Sequence, residues 1–210
     1  MEKYNYIIIL LIMIFLNVWI AKAYPKFRGF MGEFWVKLEL KKLSKKDYKI
    51  LNDIMVIDGT NTYQIDHIVL SKYGIFVIEM KNYYGLIYGK EYKKSWMQIL
   101  GKTKNYFYNP IHQNYGHIKA LSNILDLPES YFISIICFSN QSKLKITSKQ
   151  PVIYLDNITN TIKLYKEEKL NNDINIVYEK LLRLNITDKK IRKEHVSIIK
   201  DKIRSKDKYN

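Results

Sequence analysis

The chain has 210 residues, with 35 Lys plus Arg against 20 Asp plus Glu, a formal charge of +15, 47% apolar residues, 8 Gly and 1 Cys. Those figures exclude collagen-like, disulfide-scaffold and wholly disordered proteins and leave one core-forming domain with an anchor or tail. The basic excess invites a polyanion, either nucleic acid or an anionic membrane. It is almost all lysine, however, with arginine only at Arg28, Arg183, Arg192 and Arg204. Geometry-dependent phosphate recognition favours the planar guanidinium, so charge alone is a weak pointer.

From Tyr4 to Ala23 the chain reads YNYIIILLIMIFLNVWIAKA. About twenty such residues in a helix span the hydrocarbon core, and the run from Ile7 to Phe15 leaves no polar face for water. The expectation is an N-terminal transmembrane helix over residues 1–23. The rival is a signal peptide, since Ala21-Lys22-Ala23 imitates a cleavage site. Glu2 accompanies Lys3 ahead of the apolar run, whereas Lys22, Lys26 and Arg28 follow it. The positive-inside rule then predicts a single-pass protein whose C-terminal domain is cytoplasmic. A lone cysteine suits that compartment, and Cys137, inside the apolar run Ile133–Phe138, reads as a core residue.

After the anchor, Glu33 to Leu43 has helical spacing, with Phe34 and Leu38 on the expected buried face. Tyr48 to Ile57 reads as a strand that ends in the turn Asp58-Gly59-Thr60-Asn61. Gln64–Ser71 and Gly74–Lys81 are two apolar, β-branched runs separated by Lys72-Tyr73, the pattern of a hairpin. Leu86–Tyr88 is expected to continue the same sheet. Asn109-Pro110 is a helix start, with Asn as cap and Pro in the first helical position, and the helix is expected to reach Leu125. Ser130–Phe138 and Val152–Leu155 are further strands, and Ile174–Leu184 and Lys189–Ile203 are helices. The charged stretch Lys200–Lys208 is expected to fray. The order predicts an α/β fold, a mixed sheet flanked by helices. The expected divisions are the anchor at 1–23, a core at 29–140, and a C-terminal strand and helical extension with a basic tail at 141–210.

The informative charges lie inside the apolar strands. Asp66 interrupts Gln64–Leu70, and Glu79 and Lys81 interrupt Ile75–Lys81. Carboxylates in strands covered on both faces are costly unless paired or metal-bound. Glu79 and Lys81 share one face by alternation. With a two-residue loop at Lys72-Tyr73, Asp66 falls opposite Glu79, whereas a three-residue loop shifts the register by one. In the first register two carboxylates lie within about 5 Å. A hard divalent cation answers that repulsion. A structural ion pair between Lys81 and Glu79 is the competing explanation.

Gly32-Glu33, Gln64-Ile65-Asp66-His67, Gly74 to Tyr83, Trp96-Met97-Gln98 and Asn109 to Asn114 together resemble the nuclease-related domain (NERD), over roughly Gly29 to Phe138. That domain is similar to the PD-(D/E)XK nucleases, and the resemblance implies a restriction-endonuclease-like core of helix, three strands, helix and strand. It implies that Asp66 and Glu79 bind Mg²⁺ or Mn²⁺, that Lys81 is the motif lysine and that Glu33 is an accessory acid. Gln98, Gln113 and His117 would be accessory polar groups near the substrate. His67 should face away from Asp66 and is not in the catalytic set. The implied activity is metal-dependent hydrolysis of phosphodiester bonds in DNA, with RNA as a possible alternative substrate. The competing function is a non-catalytic, membrane-tethered module that binds nucleic acid or another partner.

Overall fold

The computed structural model describes residues 12, 13, 15, 24, 27–170 and 174–207. The segment expected to span the membrane, Tyr4–Ala23, lies almost wholly outside them. Among the described residues no helix is long and apolar enough to cross a membrane.

Helix α1 (residues 27–40) leads into β1 (Lys49–Asp58), β2 (Asn61–Ser71) and β3 (Gly74–Lys81). Then come β4 (Gly85–Lys90), β5 (Ser95–Leu100), β6 (Thr103–Tyr108) and α2 (Pro110–Leu125). The chain continues through β7 (Phe132–Phe138), β8 (Ser142–Thr147), β9 (Val152–Tyr154), α3 (Ile158–Leu164), α4 (Ile174–Leu184) and α5 (Lys189–Asp207). The helical backbone thus extends through most of the stretch expected to fray.

Two mixed sheets result, a five-stranded one in the order β1-β2-β3-β7-β9 and a four-stranded one in the order β6-β5-β4-β8. The first three strands are antiparallel, and β7 and β9 add in parallel. Every residue of β7, and every residue of β3 but Lys81, is buried, as expected of strands covered on both faces. One face packs Ile68, Leu70, Ile75 and Val77 against Ile118 and Leu121 of α2 and Val177 and Leu181 of α4. The other packs Val69, Phe76, Ile78 and Met80 against Val36 and Leu40 of α1 and Ile158 and Ile162 of α3.

Two expectations change. Leu86–Tyr88 lies in β4 but belongs to the second sheet, because Gly85 (φ +79°) turns the chain out of the first. A Cβ on Gly85 would come within 2.6 Å of the Ile99 carbonyl oxygen. Helix α1 buries Val36 and Leu40 and leaves Phe34 and Leu38 exposed, at 42% and 36%. The face is set by Gly32, where an added Cβ would meet the Asn82 Cβ at 2.7 Å and the Met80 Cε at 3.1 Å. The glycine side of the helix alone can approach β3 so closely. Asn82 returns the contact by donating to the Arg28 carbonyl oxygen, while the Arg28 guanidinium donates to the Asn82 carbonyl oxygen at 3.0 Å.

Helix α2 begins as its sequence dictates. The Asn109 side chain accepts from the Ile111 N–H at 2.9 Å, Pro110 occupies the first turn, and Asp126 ends the helix in the left-handed conformation. Asn109 Nδ2 also donates to the carbonyl oxygens of Glu91 and Lys93, tying the helix start to the loop after β4. Trp96, 1% exposed, fills the space between the second sheet, β7 and α2, stacking on Phe138 with centroids 6.2 Å apart.

Candidate active site

The hairpin between β2 and β3 sets the site. Ser71 pairs with Gly74, so the loop has two residues, and the ladder runs back to His67 opposite Ile78. The next step along that register places Asp66 across from Glu79. Asp66 Oδ2 accepts from the Met80 N–H at 2.9 Å, one residue past that position. Burial, and then the nearby charge of Glu79, push the Asp66 carboxyl well above the usual carboxylate range. The Met80 hydrogen bond and Lys81 oppose that rise without cancelling it.

Glu79, 2% exposed, faces α2. Its Oε1 accepts from Lys81 Nζ at 2.6 Å, and Lys81 also donates to Gln113 Oε1 on α2 at 3.0 Å. Desolvation works against the ammonium charge of Lys81, but Glu79 and its hydrogen bond outweigh it, and the pKa is raised. The other oxygen, Glu79 Oε2, is buried and has no hydrogen-bond partner. His117 Nδ1 is 3.6 Å away, beyond hydrogen-bond reach, and is equally unpartnered. Desolvation lowers the His117 pKa, as do Lys81 and His195, against the opposing pull of Glu79.

Glu33 reaches the same region from α1, its pKa raised by burial and by the charges of Asp53 and Glu79. Glu33, Asp66, Gln113 and His117 line a cleft of about 620 Å³ with Tyr63, Gln64 and Tyr108. Tyr63 meets the His117 ring edge-on, 6.4 Å between centroids.

Comparison with known sequences decides the family. The nuclease-related domain model matches residues 28–139, which hold Glu33, Asp66, Glu79, Lys81, Gln113 and His117. The chain belongs to the nuclease-related domain family. It is also similar to an uncharacterized protein of Bacillus anthracis, 39% identical over 204 residues, covering 93% of this chain and 95% of that protein. No solved structure matches.

Within this nuclease-related domain, six of the seven polar residues marked in the sequence gather at or against the cleft. Gln98 does not line it. It lies on β5 in the second sheet, 8% exposed, and donates to the Tyr84 carbonyl oxygen at 2.9 Å. That bond serves the sheet. His67 faces away from Asp66, fully buried, with Nδ1 on Asn52 Oδ1 at 2.8 Å and its pKa lowered by burial to about 3.

Residues that the sequence reading missed lie behind the cleft and along it. Asp53, on β1 between Asn52 (paired with His67) and Ile54 (paired with Ile65), is the counterpart of Asp66 in register. It adopts φ +54°, a left-handed backbone inside a strand. A non-glycine residue so placed stores strain that its surroundings must hold. Gln64 donates to Asp53 Oδ1 at 2.7 Å, and Arg192 of α5 donates to Oδ2 at 2.8 Å and to the backbone oxygen at 2.9 Å. His195 and Ile199 of α5 line the cleft as well. The signal for Asp53 was available, since Asn52-Asp53 breaks an otherwise apolar strand just as Asp66 does. Nothing local to α5 places it against Asp66.

The donor set suits a hard divalent ion of low protein-ligand count. Among the described residues no three His, Cys, Asp or Glu side chains gather around one ion-sized point. Mg²⁺, however, keeps several waters and is held by one or two carboxylates. Asp66 and Glu79 supply two, and the buried Glu79 Oε2 has no hydrogen-bond partner.

Proposed function

We propose that this chain is a membrane-tethered, metal-dependent nuclease acting on DNA. The observation that carries the proposal is the pair Asp66 and Glu79, brought across adjacent strands with one buried carboxylate oxygen left unsatisfied. Family membership supports the nuclease-like reading.

Asp66 and Glu79 would hold the cation. Such an ion supplies Lewis acidity toward a phosphoryl oxygen and makes an attacking water more acidic. Lys81 stays charged beside Glu79, where it would offset charge that develops on a phosphate. Gln113 fixes the Lys81 amine from α2. Glu33 sits at the cleft as a carboxyl whose pKa is raised by burial, in a position to accept a proton from water. The lowered pKa of His117 disfavours a second positive charge next to Glu79.

The second reading is a binding module without chemistry. It is favoured by the ion pair of Lys81 with Glu79, 2.6 Å long, which by itself accounts for both charges. Cleavage separates the two readings. The full chain, purified in detergent, should degrade DNA in Mg²⁺ or Mn²⁺ and stop in EDTA. Asp66→Asn and Glu79→Gln should each reduce turnover by at least about a hundredfold, the scale of losing groups that organise transition-state charge. Unchanged cleavage in both variants would eliminate the catalytic reading.

Tethering is proposed from the apolar segment Tyr4–Ala23 and from Phe27, Phe30, Phe34 and Trp35 of α1, which are 42–63% exposed beside it. The domain would face the cytoplasm. Full-length chain should pellet with membranes and withstand alkaline carbonate, and in inside-out vesicles its domain should be digested by added protease. Recovery of the chain in the soluble fraction would refute the tether.

A further inference from the structure

Helix α5 lies outside the matched domain, yet it forms part of the cleft that holds Asp66. His195 and Ile199, one helical turn apart, line it together with Glu33, Asp66, Gln113 and His117. The His195 ring is fixed by a contact of 2.6 Å between its Nδ1 and Thr62 Oγ1, at the start of β2. One turn earlier, Arg192 docks the helix. Its guanidinium donates to both Asp53 oxygens named above and, through Nε, to the Ile186 carbonyl oxygen at 2.7 Å. Asn185, just after α4, accepts from the Met55 N–H at 3.0 Å, so the α4–α5 connection is pinned to β1 at Met55 as well as at Asp53.

The charge distribution asks for such a wall. Glu33 and Asp66 line the cleft as carboxyls, and they offer a polyanion no positive charge. Helix α5 reads KKIRKEHVSIIKDKIRSKD, mostly basic among its charges, and Lys193 beside Arg192 is exposed. Phosphate groups flanking the hydrolysed bond need polar partners, and His195 is the polar residue that α5 places in the cleft.

We infer that α5 is the phosphate-backbone wall of this cleft, with His195 touching the nucleic acid and Arg192 acting as the positioning residue that docks the helix against strained Asp53. The inference rests on the nuclease reading and names where its substrate lies. It assigns sequence-independent contact, because a helix reaching phosphates from the cleft rim reads no base edges.

The test uses the full chain in detergent and a fluorescein-labelled single-stranded DNA oligonucleotide, with cleavage kinetics in Mg²⁺ and anisotropy in EDTA. His195→Ala should raise KM and weaken binding about tenfold, the scale of one hydrogen bond to a charged group, and change kcat by less than about twofold. His195→Gln, which keeps a donor, should restore most of the affinity. Arg192→Ala should raise KM similarly and expose α5 to limited proteolysis while the thermal midpoint of the sheet holds. Wild-type KM in both His195→Ala and Arg192→Ala, with cleavage intact, would overturn the inference and leave the nuclease reading standing. Loss of kcat at unchanged KM in His195→Ala would also overturn it, because the residue would then be catalytic. Wild-type protein that neither binds nor cuts the oligonucleotide would instead overturn the nuclease reading beneath it.

Discussion

Glu79 Oε2 and His117 Nδ1 face each other at 3.6 Å, both buried and neither hydrogen-bonded. A native fold leaves few such atoms unsatisfied, and those it leaves often mark a place for an ion or water. Added Mn²⁺ or Mg²⁺ should therefore raise the thermal midpoint of the purified chain, with about 2.7 kcal/mol of stabilisation at a hundred times the dissociation constant. EDTA should reverse the gain. Glu79→Gln should abolish it, and Asp66→Asn should diminish it. A metal-induced shift of equal size in all three proteins would place the cation elsewhere.

Lys81 and Glu79 form a pair whose side chains are 17% and 3% exposed. Removing one partner from such a pair strands the other charge, at about 3–5 kcal/mol, whereas replacing both with apolar groups of similar volume is close to neutral. Lys81→Met in EDTA should thus lower stability in urea by that order, and Glu79→Leu with Lys81→Met should recover most of it. A Lys81→Met chain as stable as wild type would mean that water or another donor already satisfies Glu79.

Gly32 matters because it lets α1 approach Met80 and Asn82 at distances no side chain permits. Gly32→Val should push the helix away from the end of β3 and carry Glu33 off the cleft. The expected result is a loss of stability of about 1–3 kcal/mol, typical of overpacking, together with a drop in nuclease activity larger than that of Glu33→Gln. Activity equal to wild type in Gly32→Val would show that the placement of Glu33 is not needed for turnover.

Cys137 is fully buried in β7, and burial pushes its thiol well above the usual range, aided by Asp156 and Glu39. The folded chain thus keeps the thiol neutral while the unfolded chain ionises from about pH 8.5. This contribution to stability is fully present below that pH and is lost as pH rises toward the folded value, by up to about 1.4 kcal/mol per unit. Urea midpoints measured from pH 8 to 10 should fall more steeply for wild type than for Cys137→Val. A thiol reagent should leave the native protein unmodified at pH 8.5 and react fully in urea. Rapid labelling of the native state would contradict the burial.

Much of the site was legible because it depends on local rules. The two-residue loop at Lys72-Tyr73 and the alternation of strand side chains put Asp66 opposite Glu79 and aim Glu79 and Lys81 at one face. Asn109-Pro110 set the start of α2, and helical spacing then delivered Gln113 and His117 to that face. The second sheet was less legible. Strand β6, TKNYFY, lies at a sheet edge with five of its six residues exposed, so it has little of the apolar alternation that reveals a strand. Gln98 looked like a site residue because its motif recurs in order with the others, but its amide is used by the Tyr84 carbonyl.

The sequence by itself determined the hairpin and the helix that covers it, since each follows from spacing within a few residues, while the Ser71–Gly74 pairing chose between the two registers open for Asp66 and Glu79. The same reasoning turns the composition of Tyr4–Ala23 into an expectation of an anchor. Only the tertiary structure decided which face of α1 is buried, because that depends on Gly32 meeting residues some fifty positions later. It alone decided that Arg192 docks on Asp53 and that His195 lines the cleft, because the Arg192–Asp53 ion pair joins positions 139 residues apart. No local periodicity encodes a contact between elements that distant, and it forms only when both are packed against the same sheet.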